Sequence, residues 1–134
     1  MITTCIYSKG YLLRLEWIYY EEVSMEYIIA KKDKLNVKIQ MSNILYIGTI
    51  VNRPRVLMFV TDEGIYESYG KLKEFEVNSS LTFKRCHRKY LVNLRRIKAV
   101  DVENRQIIFD NNKITPIECS RRNLTDVVRS WKML

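Results

Sequence analysis

The chain has 134 residues, 47% of them hydrophobic, and no low-complexity tract or repeat, which fits one ordinary domain, or one domain with a short extension, and argues against wholesale disorder. The formal net charge is +8 and unevenly spread: residues 1–30 carry Lys9 and Arg14 against Glu16, Glu21, Glu22 and Glu26, a net of −2, and the remainder carries +10. A near-neutral leader (residues 1–25) ahead of a basic domain (residues 26–134) calls for a polyanionic partner, nucleic acid before membrane surface.

The leader begins Met1-Ile2-Thr3-Thr4-Cys5, without the basic region and apolar stretch of a secretion signal. Its most apolar run, residues 11–20, is interrupted by Arg14 and Glu16 and is too short to span a bilayer. A cytoplasmic protein with no membrane partner is expected. Three cysteines, Cys5, Cys86 and Cys119, give an odd count without close spacing, which suits free thiols in a reducing compartment. With one histidine, His87, a four-ligand zinc site is not expected.

Along the basic domain, residues 26–39 alternate apolar and polar positions around Lys32-Asp33-Lys34, the pattern of a two-stranded hairpin. Ser42-Asn43 suits one helical turn before the apolar strand Leu45-Tyr46-Ile47. Asn52-Arg53-Pro54-Arg55 reads as a cationic loop. Residues 56–61 form a β-rich run, Asp62-Glu63-Gly64 a turn and residues 65–69 the return strand. A short helix is predicted over residues 71–77, ending at Asn78-Ser79-Ser80.

The second half is again β-rich, with strands predicted at residues 83–86, 90–94, 97–102 and 105–109. A last short strand is expected over residues 114–117, at a sheet edge because of Pro116. Leu124, Val127, Val128 and Trp131 stand at i, i+3, i+4 and i+7, the stripe of an amphipathic C-terminal helix with Ser120 as N-cap. The sum is a mainly antiparallel β domain.

The strongest local feature is residues 84–98, with seven Lys or Arg and no acid. Like charges this close repel, and an anionic partner is a natural reason to keep them; an ordinary basic surface is the alternative. Lys84 and Lys98 suit phosphate contacts. Catalysis is not expected: Asp101, Glu103 and Asp110 fall at turns without partners, and one histidine disfavours two-histidine acid–base chemistry. No cofactor, metal or small-molecule substrate is expected. Cys86 reads best as a small buried residue, although neighbouring cations could instead lower its pKa.

The run Phe83-Lys84-Arg85-Cys86-His87-Arg88-Lys89-Tyr90-Leu91-Val92-Asn93-Leu94-Arg95-Arg96-Ile97 resembles the signature of the LytTR domain. Ile44-Leu45-Tyr46-Ile47, Gly70-Lys71-Leu72-Lys73-Glu74-Phe75 and Ser120-Arg121-Arg122-Asn123-Leu124 resemble that family's early strand, short helix and last-helix start, in the right order. The branch most resembled is the quorum-sensing and bacteriocin response regulators of the accessory-gene-regulator type. The resemblance implies a stack of small antiparallel sheets with short helices and a C-terminal helix. It also implies double-stranded DNA as partner, promoter direct repeats as sites, and loops entering successive major grooves.

Carried over to this chain, the resemblance points to three groups. The first is Arg53 and Arg55, where relatives place a polar or His side chain and this chain has Pro54. The second is Arg85, His87, Arg88 and Lys89, with Arg88 as the base or phosphate reader. The third is Arg121, Arg122 and Asn123, with Arg122 as reader and Arg121 on phosphate. Asn93 is expected to cap the turn Leu94-Arg95-Arg96. Most relatives carry a phosphoacceptor receiver domain, for which residues 1–25 are too short; Gly10-Tyr11-Leu12-Leu13-Arg14-Leu15-Glu16-Trp17-Ile18-Tyr19-Tyr20 weakly resembles only its last strand. The leader is therefore a receiver remnant, a dimerisation element or a docking segment. An anti-activator, competing or pairing with a related response regulator, is the alternative to a direct regulator, and a homodimer is equally compatible.

Overall fold

A computed structural model of the chain describes residues 27–78 and 82–134. The leader, Cys5 and Ser79-Ser80 lie outside the described residues.

The first alternating stretch folds as a hairpin, β1 (Tyr27–Lys32) and β2 (Leu35–Gln40), with Tyr27 opposite Gln40 and Lys32 opposite Leu35. Asp33 turns it at φ 57°, a conformation that a short polar side chain tolerates. A single 3-10 turn, Met41–Asn43, leads into β3 (Ile44–Ile50), β4 (Arg53–Thr61) and β5 (Gly64–Tyr69). Next come α1 (Leu72–Asn78), β6 (Phe83–His87) and β7 (Tyr90–Asn93). A second 3-10 turn, Leu94–Arg96, precedes β8 (Ile97–Asp101), β9 (Gln106–Phe109), β10 (Ile117–Glu118) and α2 (Arg121–Lys132). The strands make a seven-stranded sheet, ordered β2-β1-β5-β4-β3-β7-β6, and a three-stranded sheet, ordered β10-β9-β8. All pairings are antiparallel.

Because side chains alternate along a strand, the larger sheet presents two apolar faces. On one, Ala30, Ile39, Ile47, Phe59, Tyr66 and Leu91 pack with Leu72 and Phe75 of α1, and Phe59 meets Phe75 edge-on at 5.4 Å. On the other, Leu45, Val60 and Val92 pack against Ile107, Phe109 and Ile117 of the small sheet and Val127 of α2. Tyr46 stacks on Phe109 at 5.5 Å. A bulge makes this second face continuous: Ile44 pairs with Thr61 and Tyr46 with Val60, so Leu45 and Tyr46 both serve the second core.

Two expectations about boundaries change. Arg53-Pro54-Arg55 is not a loop; the turn is Val51-Asn52, with Asn52 at φ 68°, and β4 already begins at Arg53. Ile50 pairs with Arg53 but Thr49 with Leu57, so residues 54–56 leave the ladder with β3, while Val56 already pairs with Tyr69 of β5. Proline has no N–H to give a ladder, and the bulge accommodates it. The final strand starts at Ile117, after Pro116 rather than through it, and β10 is an edge strand. The C-terminal helix follows its predicted stripe: Val127 is fully buried, with Leu124, Val128 and Trp131 half-buried. Trp131 Nε1 donates to the Ile97 carbonyl at 3.2 Å.

Candidate nucleic-acid interface

Strand direction brings the three basic groups to one end of the large sheet. β3 runs toward the Val51-Asn52 turn, and Gly48 pairs with Tyr90, the first residue of β7. The β3–β4 turn and the β6–β7 turn, Arg88-Lys89, therefore lie side by side. Thr49 N–H donates to the Lys89 carbonyl at 3.1 Å, fastening them. Gly48 allows a close approach there: a Cβ would sit 3.2 Å from the Tyr90 ring and 3.0 Å from Met58 Cε, so one of the two would have to shift. The third group joins through Ser120, whose N–H donates to the Cys86 carbonyl at 2.7 Å and places the start of α2 beside the end of β6.

At this end Arg55, Arg88, Lys89, Arg121 and Arg122 are all exposed. Arg55 stands at φ 72° in the bulge, its carbonyl accepting from Gly70 N–H at 2.8 Å. Arg53 is exposed too, but ion-paired with Glu67 at 2.9 Å. Arg85 differs. Its guanidinium donates to Glu76 of α1 at 3.0 and 3.2 Å and to the Arg88 carbonyl at 2.8 Å, so it braces the Arg88-Lys89 turn from inside. A bulge places both Cys86 and His87 opposite Tyr90. His87 is half-buried, its ring 5.7 Å from that of Tyr90, and its Nδ1 accepts from Lys89 N–H at 3.2 Å. Asn123 is half-buried in the first turn of α2, and its N–H donates to Ser120 Oγ at 3.2 Å, the expected N-cap. The open N–H groups and dipole of that turn favour an anion.

The run of seven cations does not form one patch. β7 carries the chain from the Arg88-Lys89 turn to the opposite end of the sheet, about 13 Å at ~3.3 Å per residue. There Arg96 is spent on acids: it meets Asp62 at 2.9 and 3.0 Å and Asp110 at 2.8 to 3.0 Å, joining the β4–β5 turn to the small sheet. The Arg96 hydrogen bonds hold the Asp62 carboxyl below its ordinary pKa, assisted by Asn111. Lys98 lines the same groove as Asp62, Arg96 and Asp110. Asn93 is buried and structural, as expected: Oδ1 accepts from Arg95 N–H at 3.0 Å and Nδ2 donates to the Ile44 carbonyl at 2.8 Å.

Cys86 and Cys119 are both fully buried and adjacent, a proximity that their separation in sequence hid. The hydrogen bond with Cys119 and burial push the Cys86 thiol far up, outweighing Arg85. The small buried reading of Cys86 stands, and activation by neighbouring cations does not. Sequence reasoning also missed Glu76, which no motif marks as the acid that holds Arg85. Among the described residues no cluster of three or more His, Cys, Asp or Glu is placed to hold a metal, and no helix is long and apolar enough to cross a membrane.

The family model described as LytTr DNA-binding domain matches residues 34–132. Accessory gene regulator protein A of Staphylococcus aureus strain N315 is 29% identical over 90 residues, covering 67% of this chain and 37% of the relative. The protein of the same name in Staphylococcus epidermidis is 26% identical over 93 residues, covering 69% and 38%. The chain thus spans little more than a third of the length of these relatives. Among solved structures, the LytTr DNA-binding domain of a Bacillus cereus methyl-accepting/DNA response regulator superposes with a TM-score of 0.65 at 18% identity, covering 78% of this chain and 94% of that one.

Proposed function

The chain belongs to the LytTr DNA-binding domain family, and from that premise we propose that it is a sequence-specific, DNA-binding transcription regulator of the accessory-gene-regulator kind, acting inside the cell without catalysis. One observation carries the reading: three segments distant in sequence converge at one end of the sheet and expose five cations there. In this reading the β3–β4 turn, the β6–β7 turn and the head of α2 enter successive major grooves, and promoter direct repeats supply the sites.

Arg88 and Arg122 read bases, since a planar guanidinium forks onto guanine O6 and N7. Arg55, Lys89 and Arg121 hold phosphates, and Arg53 joins them on release from Glu67. Arg85 and His87 are positioning residues, because the Arg85 guanidinium is bonded to Glu76 and the Arg88 carbonyl and His87 Nδ1 accepts from the Lys89 N–H of the turn. Asn123 lies against the same backbone.

The test is titration of a fluorescent duplex pool with the full chain and with an Arg121→Ala/Arg122→Ala variant. The chain binds and the variant loses about 5- to 150-fold in affinity for preferred sites, the equivalent of 1–3 kcal/mol. Equal binding by both proteins would remove the head of α2 from the interface. An anti-activator would use the same surface and differ in lowering, rather than raising, a relative's output in a promoter reporter.

A further inference from the structure

The small sheet and α2 cover only part of the second face of the large sheet. On β1 and β5 that face is open. Lys31 of β1 pairs with Glu67 of β5, so antiparallel register sets Ile29 in line with Tyr69, and Val56 of β4 pairs with Tyr69 on its other side. Ile29 is 58% exposed, Ile65 54% and Tyr69 77%, while the opposite side of the same strands buries Ala30 and Tyr66. A groove runs across this patch, lined by Ile29, Lys31, Arg53, Val56, Ile65 and Tyr69. Single exposed apolar residues are ordinary; a contiguous group on one sheet face marks an interface.

We propose that the groove is the docking site of the chain's own residues 11–20, held against β1 and β5 within one molecule. Three observations choose this occupant. The first is continuity: the leader, residues 1–25, is joined through Glu26 to Tyr27, which already lies on the open face. The second is reach. Residues 21–26 span up to about 20 Å when extended, while four strands at ~4.8 Å spacing occupy about 15 Å. The connection is long enough to return the segment across the face.

The third is complementarity. Residues 11–20 supply Tyr11, Leu12, Leu13, Leu15, Trp17, Ile18, Tyr19 and Tyr20 as apolar cover. Glu21, Glu22 and Glu26 follow, and the open face carries Lys31 and, beside Ile29 on β2, Lys38; the groove also holds Asp33 and Glu67, the latter paired with Arg53. The groove ends at Arg53, so the docked segment adjoins the β3–β4 turn. The proposal does not depend on DNA binding and would survive its failure.

Trp17 and Trp131 are the two tryptophans, so Trp131→Phe leaves Trp17 as the sole reporter in the full chain. The expected result is blue-shifted Trp17 emission, shielded from acrylamide and unchanged on dilution. Adding Ile65→Asp or Tyr69→Asp, both at exposed positions, shifts the emission red and raises quenching several-fold while the far-UV spectrum stays the same. Solvated emission from Trp17 in the Trp131→Phe chain, indifferent to both substitutions, overturns the proposal. Shielding lost on dilution, together with a dimer in sedimentation, also overturns it, in favour of a second copy. If Trp131→Phe does not fold, hydrogen exchange on the unsubstituted chain gives the readout: residues 11–20 are protected and Ile65→Asp removes the protection, whereas unprotected residues 11–20 overturn it.

Discussion

Arg88 and Lys89 are neighbours in one turn, yet the account gives them different work. Arg88→Ala, like Arg122→Ala, should remove about 1–3 kcal/mol of discrimination at particular base positions and flatten preference there. Lys89→Ala should weaken all duplexes about equally and reduce the salt slope by about 1. Competitive binding of single-base-substituted duplexes separates the two patterns; a uniform loss from all three substitutions contradicts the assignment. Lys98, expected from sequence to touch phosphate, now serves as a control, because it lies beside Asp62 and Asp110 at the far end of the sheet. Sequence alone had no means of separating it from Lys89, since what divides them is the direction of β7. Arg85 was similarly illegible: its partner Glu76 sits on another element. Asp62 adds a pH dependence. Its folded pKa is lowered by Arg96, so its stabilisation is present above the usual carboxylate range, near pH 3.9, and is lost as pH falls through the lower folded value. Thermal melts from pH 7 to pH 3 should therefore fall less steeply for Asp62→Asn than for the unsubstituted chain, starting from a lower value at pH 7.

At the scale of elements, α2 links stability to the interface. Ser120 caps it through Oγ and ties it to β6 through its N–H. Ser120→Ala removes only the first of these and should cost about 1 kcal/mol, visible as a lower denaturation midpoint with an unchanged m-value. A loss well above that would mean that the hydroxyl also supports the junction with β6. This helix was legible because its apolar stripe and cap are local signals. The hairpin of β1 and β2 was legible for the same reason, a period of two broken by Lys32-Asp33-Lys34. The start of β4 was not: turn-forming residues at 52–55 read as a loop, whereas Arg53 pairs with Ile50 across the tight Val51-Asn52 turn, and the resumption of pairing at Val56 with β5 and Leu57 with β3 leaves Pro54 and Arg55 in a bulge. The adjacency of Cys86 and Cys119 is likewise a product of α2 docking on β6.

For the whole molecule, the relevant quantity is how many cations one end of the sheet presents. Composition gives a large positive charge, and the fold distributes it: Arg96 is neutralised by Asp62 and Asp110 at the far end, and Arg55, Arg88, Lys89, Arg121 and Arg122 stand exposed at the other. If those five replace counterions on duplex DNA, log affinity should fall against log salt with a slope of about −4.5. A slope of about −9 would mean that all seven cations of residues 84–98 contribute beside Arg55, Arg121 and Arg122, against the division described above. The central claim is that this end reads sequence as well as charge. It is tested most directly by selecting with the full chain from a random duplex library at near-physiological salt. The account predicts enrichment of a short motif, recurring as a direct repeat, and loss of particular positions of that motif with Arg88→Ala and with Arg122→Ala. Binding that enriches no motif would contradict base readout and leave a charge-driven, architectural binder.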